Sequence, residues 1–376
     1  MVFYVWEYTD GIGFEKIAAI DKAISAIWVN RHIDAGEFEL YLPATEEYLM
    51  LFDKEILLVT KEGTEEAKIA MFVEKIELTT DSETGNRLIV SGSSAESILK
   101  WRIVMGQTTL SDYADMIIYQ LLNKNAIAPD SISSQMNERR RIPNFSILNP
   151  VNHFPETADV QFDGETLLEA VSNICKACGF GFKVVFFGRN GYSEVRPHFQ
   201  FRLYKGVDRT LYQSENKRVI FSSDFGNLGN TSYVRDLTTF ANLIQVIGEG
   251  NGSKKMHYTY VKNLETKGWH IREKTVDGSN LSATTSGGEL DYNTYVQLLR
   301  QKAHEEYAKA KETQEFSGEI LDNGMYQYGI DYNLGDTVSI RNSYGIEGTA
   351  IVDEITEVWD DNGYRIFPTF SEWSVS

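Results

Sequence analysis

Apolar and polar positions alternate along the first hundred residues with the period of two that belongs to strands. Phe38-Glu39-Leu40-Tyr41-Leu42 shows the alternation, Ile24 to Trp28 is largely apolar, and Ile56-Leu57-Leu58-Val59 is apolar throughout. Two further strands, Ile69 to Leu78 and Arg87 to Ser91, are separated by the turn residues Asp81-Ser82-Glu83-Thr84-Gly85-Asn86. The pattern predicts an antiparallel barrel or sandwich over residues 1–98.

From about residue 99 the period changes. Leu110, Tyr113, Ala114, Ile117, Ile118, Leu121 and Leu122 fall on one helix face, with Ser111 and Asp112 suited to the helix start. A second helix is predicted over Gly164 to Cys178, burying Leu167, Leu168, Val171, Ile174 and Cys175 and stopping at Gly179. With strands at Phe182 to Phe187 and Phe199 to Tyr204, residues 99–216 read as an α+β domain. Strand patterns return over 217–250, ending in Asn242-Leu243-Ile244-Gln245-Val246-Ile247-Gly248. Residues 251–315 hold a hairpin, a Ser/Thr-rich loop from Gly278 to Gly288 and a helix from Tyr292 to Lys311, the signature of an insertion. The last sixty residues are strands again.

The two ends of the chain match each other. Met71-Phe72-Val73-Glu74-Lys75-Ile76-Glu77 aligns without gaps on Ala350-Ile351-Val352-Asp353-Glu354-Ile355-Thr356. Each is followed by a second strand, Gly85-Asn86-Arg87-Leu88-Ile89 and Gly363-Tyr364-Arg365-Ile366-Phe367, and preceded by another, Lys54 to Val59 and Gly335 to Ile340. Any two hairpins share alternation and a glycine turn; a duplicated barrel is the sharper reading. It makes the fold mainly β with α+β insertions: two similar antiparallel tube-like barrels, 1–98 and 217–250 with 316–376, plus two smaller decorating domains, 99–216 and 251–315. Two similar barrels per chain would give three chains six quasi-equivalent units, which lets a trimer stack on a six-fold tube.

Composition narrows the function. At 376 residues the chain can hold two to four domains, and 42% apolar with 24% charged residues is ordinary for a globular protein. The 54 Asp plus Glu against 36 Lys plus Arg leave a formal charge of −18, a field that repels nucleic acid. Arg139-Arg140-Arg141 is a local exception without interleaved aromatics, and it reads as a solvated loop or an intersubunit salt-bridge site. Nothing approaches the ~18 to 20 apolar residues of a membrane helix, so no membrane insertion is expected. Met1 to Glu7 lacks the pattern of a signal peptide and two cysteines make no disulfide framework, which together suggest folding in a cytoplasm.

Candidate chemistry is thin. Gly248-Glu249-Gly250-Asn251-Gly252-Ser253-Lys254 follows a strand, but no glycine precedes the lysine in the phosphate-loop spacing and a strand follows, so it reads as a hairpin turn. Cys175-Lys176-Ala177-Cys178 has redox spacing at a helix C-terminus, where the dipole raises a thiol pKa. His304-Glu305-Glu306 lacks the second histidine of a zinc-protease helix, and the acidic pairs Asp353-Glu354 and Asp360-Asp361 have no evident cleft. No catalytic residue, cofactor or metal is nominated. A carbohydrate-active β-protein and an adhesin or carbohydrate-binding module are the alternatives to an assembly protein.

Three stretches carry a family resemblance. Asp21 to Trp28 leading into Asp34-Ala35-Gly36-Glu37-Phe38-Glu39-Leu40-Tyr41-Leu42-Pro43 is similar to the opening of siphophage tail proteins of Gram-positive hosts, and Asn242 to Gly252 and Tyr328 to Val338 resemble their middle and C-terminal motifs. Asp34, Gly36, Phe38, Asn242, Gly248, Gly250, Gly335 and Asp336 are the structural residues these motifs single out. The resemblance implies a homotrimeric, non-enzymatic baseplate hub at the tail tip of the virion, assembled in the host cytoplasm. Its implied partners are the distal tail protein, the tail tube and the tape-measure protein, with genomic DNA crossing the lumen without specific binding. Ending after the second barrel, the chain is expected to carry no fused cell-wall hydrolase or receptor-binding domain.

Overall fold

The computed structural model describes residues 1–61, 67–81, 85–130, 132–148, 153–188, 196–250, 255–285, 288–289, 291–321, 325–345 and 347–375. The chain opens with a hairpin, β1 (Phe3–Thr9) and β2 (Gly13–Ile20), whose turn uses Gly11 and Gly13 at φ +77° and +99°. L side chains rarely adopt that backbone. Next come β3 (Ser25–Arg31), β4 (Glu37–Pro43) and a short helix α1 (Glu46–Phe52), whose Thr45 cap accepts from the Tyr48 N–H. Then follow β5 (Leu57–Lys61), β6 (Ala67–Lys68), β7 (Ala70–Asp81) and β8 (Gly85–Ser94). In β4 the alternation does what it predicts: Phe38, Leu40 and Leu42 point into a core with Phe3, Val5, Trp28, Val59, Met71 and Val90. Burying a side chain the size of Phe38 contributes about 1.5–3 kcal/mol.

Residues 108–204 cover the other face of that sheet. They supply β9 (Thr108–Tyr113), α2 (Ala114–Leu122), α3 (Ser134–Arg140), β10 (Phe145–Ile147), β11 (Thr157–Phe162), α4 (Leu167–Cys178), β12 (Gly181–Phe187) and β13 (His198–Tyr204). Trp6, Leu58 and Phe72, the alternate residues of β1, β5 and β7, share their core with Ile117, Leu121, Val171 and Phe186. This explains why 57–59 is apolar without alternation: β5 is covered on both faces, whereas Ile56, just before it, is exposed. The helix expected from Leu110 begins only at Ala114. Residues 108–113 instead pair with β11, Leu110 opposite Val160, because Thr108, Thr109 and Tyr113 fit a strand and only Ala114 onward buries a 3.6-period stripe. The helix expected from Gly164 runs from Leu167, where Thr166 and Glu169 form a reciprocal capping box, and it ends at Gly179 with φ +70°.

The remaining elements are β14 (Ile220–Ser222), β15 (Leu228–Asp236), β16 (Leu243–Ile247), β17 (His257–Val261), β18 (Glu273–Asp277), β19 (Thr284–Thr285), β20 (Gly288–Glu289), α5 (Tyr292–Lys309), β21 (Thr313–Ile320), β22 (Thr337–Arg341), β23 (Glu347–Asp360) and β24 (Gly363–Val375). The fold is mainly β. Its largest sheet has thirteen strands, in the order β15-β21-β24-β23-β3-β4-β8-β7-β5-β1-β2, with β22 on β23 and β14 on β22. Sequence patterning grouped 243–247 with the strands of 217–250, but β16 leaves this sheet and pairs with β17 and β18. Its inward residues Ile244 and Val246 cover the apolar stripe of α5, Tyr295, Leu298 and Leu299, which would otherwise face water.

Within the large sheet, the end-to-end sequence match has a topological counterpart. β3-β4-β8-β7-β5 and β15-β21-β24-β23-β22 have the same spatial order, the same chain order and antiparallel neighbours throughout. Both long hairpins are interrupted by a bulge at the aligned acidic residue, between Val73 and Lys75 in β7 and between Val352 and Glu354 in β23. One register differs from the sequence alignment. Val59 opposes Met71 and Val338 opposes Ala350, so Val338 corresponds to Val59 and not to Leu57. A slip of two residues preserves the inward face, so patterning alone does not detect it.

Candidate functional site

The N-terminal and C-terminal motifs are linked through His32 at the junction between the two strand sets and the α+β region, since His32 lies two residues before Asp34 and packs against Gly335. Asp34 Oδ1 accepts from the Ala35 N–H at 2.6 Å, and the Gly36 N–H donates to Ser94 Oγ at 2.7 Å, which fixes the sharp β3–β4 turn. A Cβ on Gly36 would lie 2.0 Å from the Val29 carbonyl oxygen, so the turn admits only glycine there. Phe38, the second residue of β4, is buried against Trp28.

Asp336 is the other half of the junction. Its buried carboxylate accepts from the Val207 N–H (2.8 Å) and the Asn333 N–H (2.9 Å) and pairs with Arg209 Nε at 2.6 Å. The carboxylate thereby ties the 205–209 connection to the turn before β22. Gly335, at φ +86°, donates to the Val352 carbonyl, and Gly206 approaches it so closely that a Cβ would stand 1.6 Å from the Gly335 oxygen. Between the halves sits His32. Its N–H donates to the Asp353 carbonyl, its carbonyl accepts from Phe182, and its Nδ1 lies 3.1 Å from the Tyr204 hydroxyl. Burial lowers its pKa to about 4 against a smaller opposing effect of Asp336, so the ring is neutral.

The β3–β23 seam completes the junction. Six residue pairs run from Arg31 opposite Glu354 to Ala26 opposite Trp359. Arg31 Nε binds Glu354 at 2.7 Å, and Lys61 lies under Trp28 and Trp359 with its Nζ 2.5 Å from the buried Glu357. Glu357 also accepts from Asn30 and from the Tyr364 hydroxyl, so the charge is fully engaged. His32, Lys61, Tyr204, Arg209 and Glu357 were not apparent in the sequence, because their partners lie far away along the chain.

The middle motif builds a different place. Asn242 accepts from the Arg272 N–H and donates to the His270 carbonyl, pinning the start of β16 to the segment before β18. Gly248 leaves room for Tyr295 and Leu299 of α5, since a Cβ would come within 2.6 Å of the Tyr295 hydroxyl. Gly250 has φ +128°, and residues 251–254 of the glycine-rich stretch lie outside the described residues. A family model for Siphovirus ReqiPepy6 Gp37-like proteins matches residues 2–370. The chain belongs to that family.

Two solved structures share its fold over nearly full length. The tail protein from Neisseria meningitidis MC58 is 14% identical, with a TM-score of 0.51 over 98% of this chain and 96% of that one. The 43 kDa tail protein of prophage MuSo2 from Shewanella oneidensis is 12% identical, with a TM-score of 0.50 over 98% of each. No curated protein matches the chain. This family member thus shares its fold with two tail proteins.

The other chemical candidates of this Gp37-like chain are held structurally. Cys175 is buried in α4 and its thiol pKa is raised well above the ordinary value by burial, then by Cys178; burial and then Glu156 push Cys178 up to about 11. Arg139 and Arg140 lie in the last turn of α3, not in a loop, and Arg140 donates to the Ile103 carbonyl at 2.9 Å. His304 packs against Tyr260 with the two rings tilted at 50°. Among the described residues no three His, Cys, Asp or Glu side chains are grouped to hold a metal, and no helix is long and apolar enough to cross a membrane.

Proposed function

We propose that this family member is the non-enzymatic hub at the distal end of a phage tail, three copies forming a ring of six tube-like barrels that continues or closes the tail tube. The observation that carries the proposal is the pair of strand sets with one order and one bulge position, joined edge to edge through β3 and β23. A chain that already places two like units side by side needs only three copies to meet a six-fold tube. The barrels would comprise 1–98 and the strands of 217–250 other than β16 with 316–376, and the regions 99–216 and 251–315, the latter joined by β16, would decorate the ring.

In this reading the distal tail protein, tail tube and tape-measure protein are the neighbours, and DNA crosses the lumen once the ring opens. Three chains of −18 bring −54, and a wall rich in carboxylates gives a phosphate backbone no counter-ions to release. Mass photometry of the purified protein, alone and with the distal tail protein, tests the proposal. Trimers in either sample are the expected result; a strict monomer or a two-fold dimer in both defeats it.

A further inference from the structure

The duplicated strand sets differ in one respect that points to a partner. In the second set, one edge of β23 is occupied along its whole length: β22 pairs with its first half, Glu347 to Ile351, and β3 with its second, Glu354 to Trp359. In the first set, β5 pairs with the first part of β7, Ala70 to Phe72, and among the described residues no strand occupies that edge beyond it. The counterpart of β3 is β15. Its outer edge is the end of the large sheet and likewise has no strand partner among the described residues. Each chain therefore carries one used junction and the two unused halves of a second one.

We infer that β15 of one copy pairs antiparallel with the open half of β7 of the next, repeating between chains the β3–β23 seam within the chain. The register follows from the pairings. Lys75 corresponds to Glu354 through the shared bulge, and Asp236 corresponds to Arg31 through Trp28 opposite Phe38 and Tyr233 opposite Phe316. Transferring the internal seam puts Lys75 opposite Asp236, Ile76 opposite Arg235, Glu77 opposite Val234, Leu78 opposite Tyr233 and Thr79 opposite Ser232. The seam within the chain has Arg31 on Glu354; the transferred seam has Asp236 on Lys75. The charges exchange strands and stay opposite, which a chance superposition of two edges would not require.

Exposure agrees with the assignment. The seam residues of β23 and β3 are buried or half-buried, whereas the open half of β7 shows Ile76 at 43% and Leu78 at 54%, and β15 shows Val234 at 51%. Unpaired strand edges with exposed apolar side chains are aggregation hazards unless a partner covers them. A second copy is the partner that matches both the register and the charge. Lys75 meanwhile pairs with Glu77 on its own strand, and Asp236 accepts from the Thr238 N–H at 2.7 Å, so both charges are held at the edge.

Such an interface is head to tail, and head-to-tail contacts close into rings when the rotation allows. The inference rests on the hub reading for the number of copies and on the strand register for everything else. The test is paired cysteine substitution in the full chain, with covalent products separated without reductant. Lys75→Cys with Asp236→Cys should cross-link up to a covalent ring, since opposite residues of antiparallel strands stand about 4.5–5.5 Å apart at Cα, within disulfide reach. Either single substitution should give no ladder, and Lys75→Cys with Arg235→Cys should cross-link far less.

A second arm reverses charges. Lys75→Asp or Asp236→Lys should each weaken association about tenfold per interface, and the double variant should recover it. A mixture of the two single variants cannot close a three-membered ring without one mismatched seam, although it would restore any even-numbered ring. A trimer that fails to cross-link, or links better at Arg235, overturns the edge pairing and leaves the hub reading standing. Cross-linked rings of another copy number uphold the pairing and defeat the trimer. A chain that stays monomeric with and without its tail partner and forms no link defeats both.

Discussion

Replacing Asp336 by alanine removes a single acceptor that serves three donors. The Arg209 guanidinium, itself mostly buried, loses its partner, and the Val207 and Asn333 N–H groups are left without theirs. Breaking a buried ion pair from one side costs about 3–5 kcal/mol, and each stranded backbone donor adds about 1–3 kcal/mol where water cannot reach it. Water will reach part of the vacated site, so a net loss of about 4 kcal/mol is expected. That is a large share of the 5–15 kcal/mol typical of a folded domain. Asp336→Asn keeps one acceptor oxygen, enough for either the Val207 N–H or the Asn333 N–H but not for both, and should lose somewhat less than the alanine variant. Chemical denaturation followed by Trp fluorescence measures the total, and amide exchange over 205–209 and 333–337 shows where it arises. A loss below about 1 kcal/mol in the alanine variant, or unchanged exchange in those segments, would refute the view that this carboxylate clamps the junction.

Two further outcomes follow from titratable groups. His32 titrates near 4 when folded and near 6.5 when free, so its neutral form supports the fold above pH 6.5 and that support is lost as pH falls toward 4. Wild type should lose up to about 3 kcal/mol more than His32→Gln over that window; parallel stability curves would contradict the assignment. With both thiols held above their ordinary pKa, neither Cys175 nor Cys178 should react with iodoacetamide at pH 8 in the folded protein, and both should react once it is unfolded. Rapid labelling of either in the native state would reveal a reactivity that burial does not allow.

Much of the strand content was legible because a half-buried strand writes its two faces into alternate residues, as in Phe38-Glu39-Leu40-Tyr41-Leu42. The capping box at Thr166 and the left-handed Gly179 made α4 legible in the same way. What the sequence hid was pairing. Thr108 to Tyr113 satisfy a helical stripe and a strand equally, and only the presence of β11 decides between them. β16 was placed with its neighbours in sequence, but its partners are β17, β18 and α5. The motif residues Asp34, Gly36, Gly335 and Asp336 were visible as a pattern, while His32, which joins them, carries no local signature. Its role depends on the space left by Gly181 and Gly335, where a Cβ would lie 2.4–2.5 Å from the ring.

The β3–β23 seam also sets an order of events during synthesis. Arg31 and Glu354 are 323 residues apart, so at roughly 5–20 residues per second a ribosome needs roughly 15–65 s to deliver the strand that covers β3. For that interval β3 and β4 present a finished hairpin with an open side. The Arg31–Glu37 ion pair spans only the hairpin and needs no later strand, so it is free to set two charges at the mouth of that open side. Charged residues at an edge discourage pairing with another nascent chain. The same arginine that later binds Glu354 therefore guards the edge while the rest of the protein is being made.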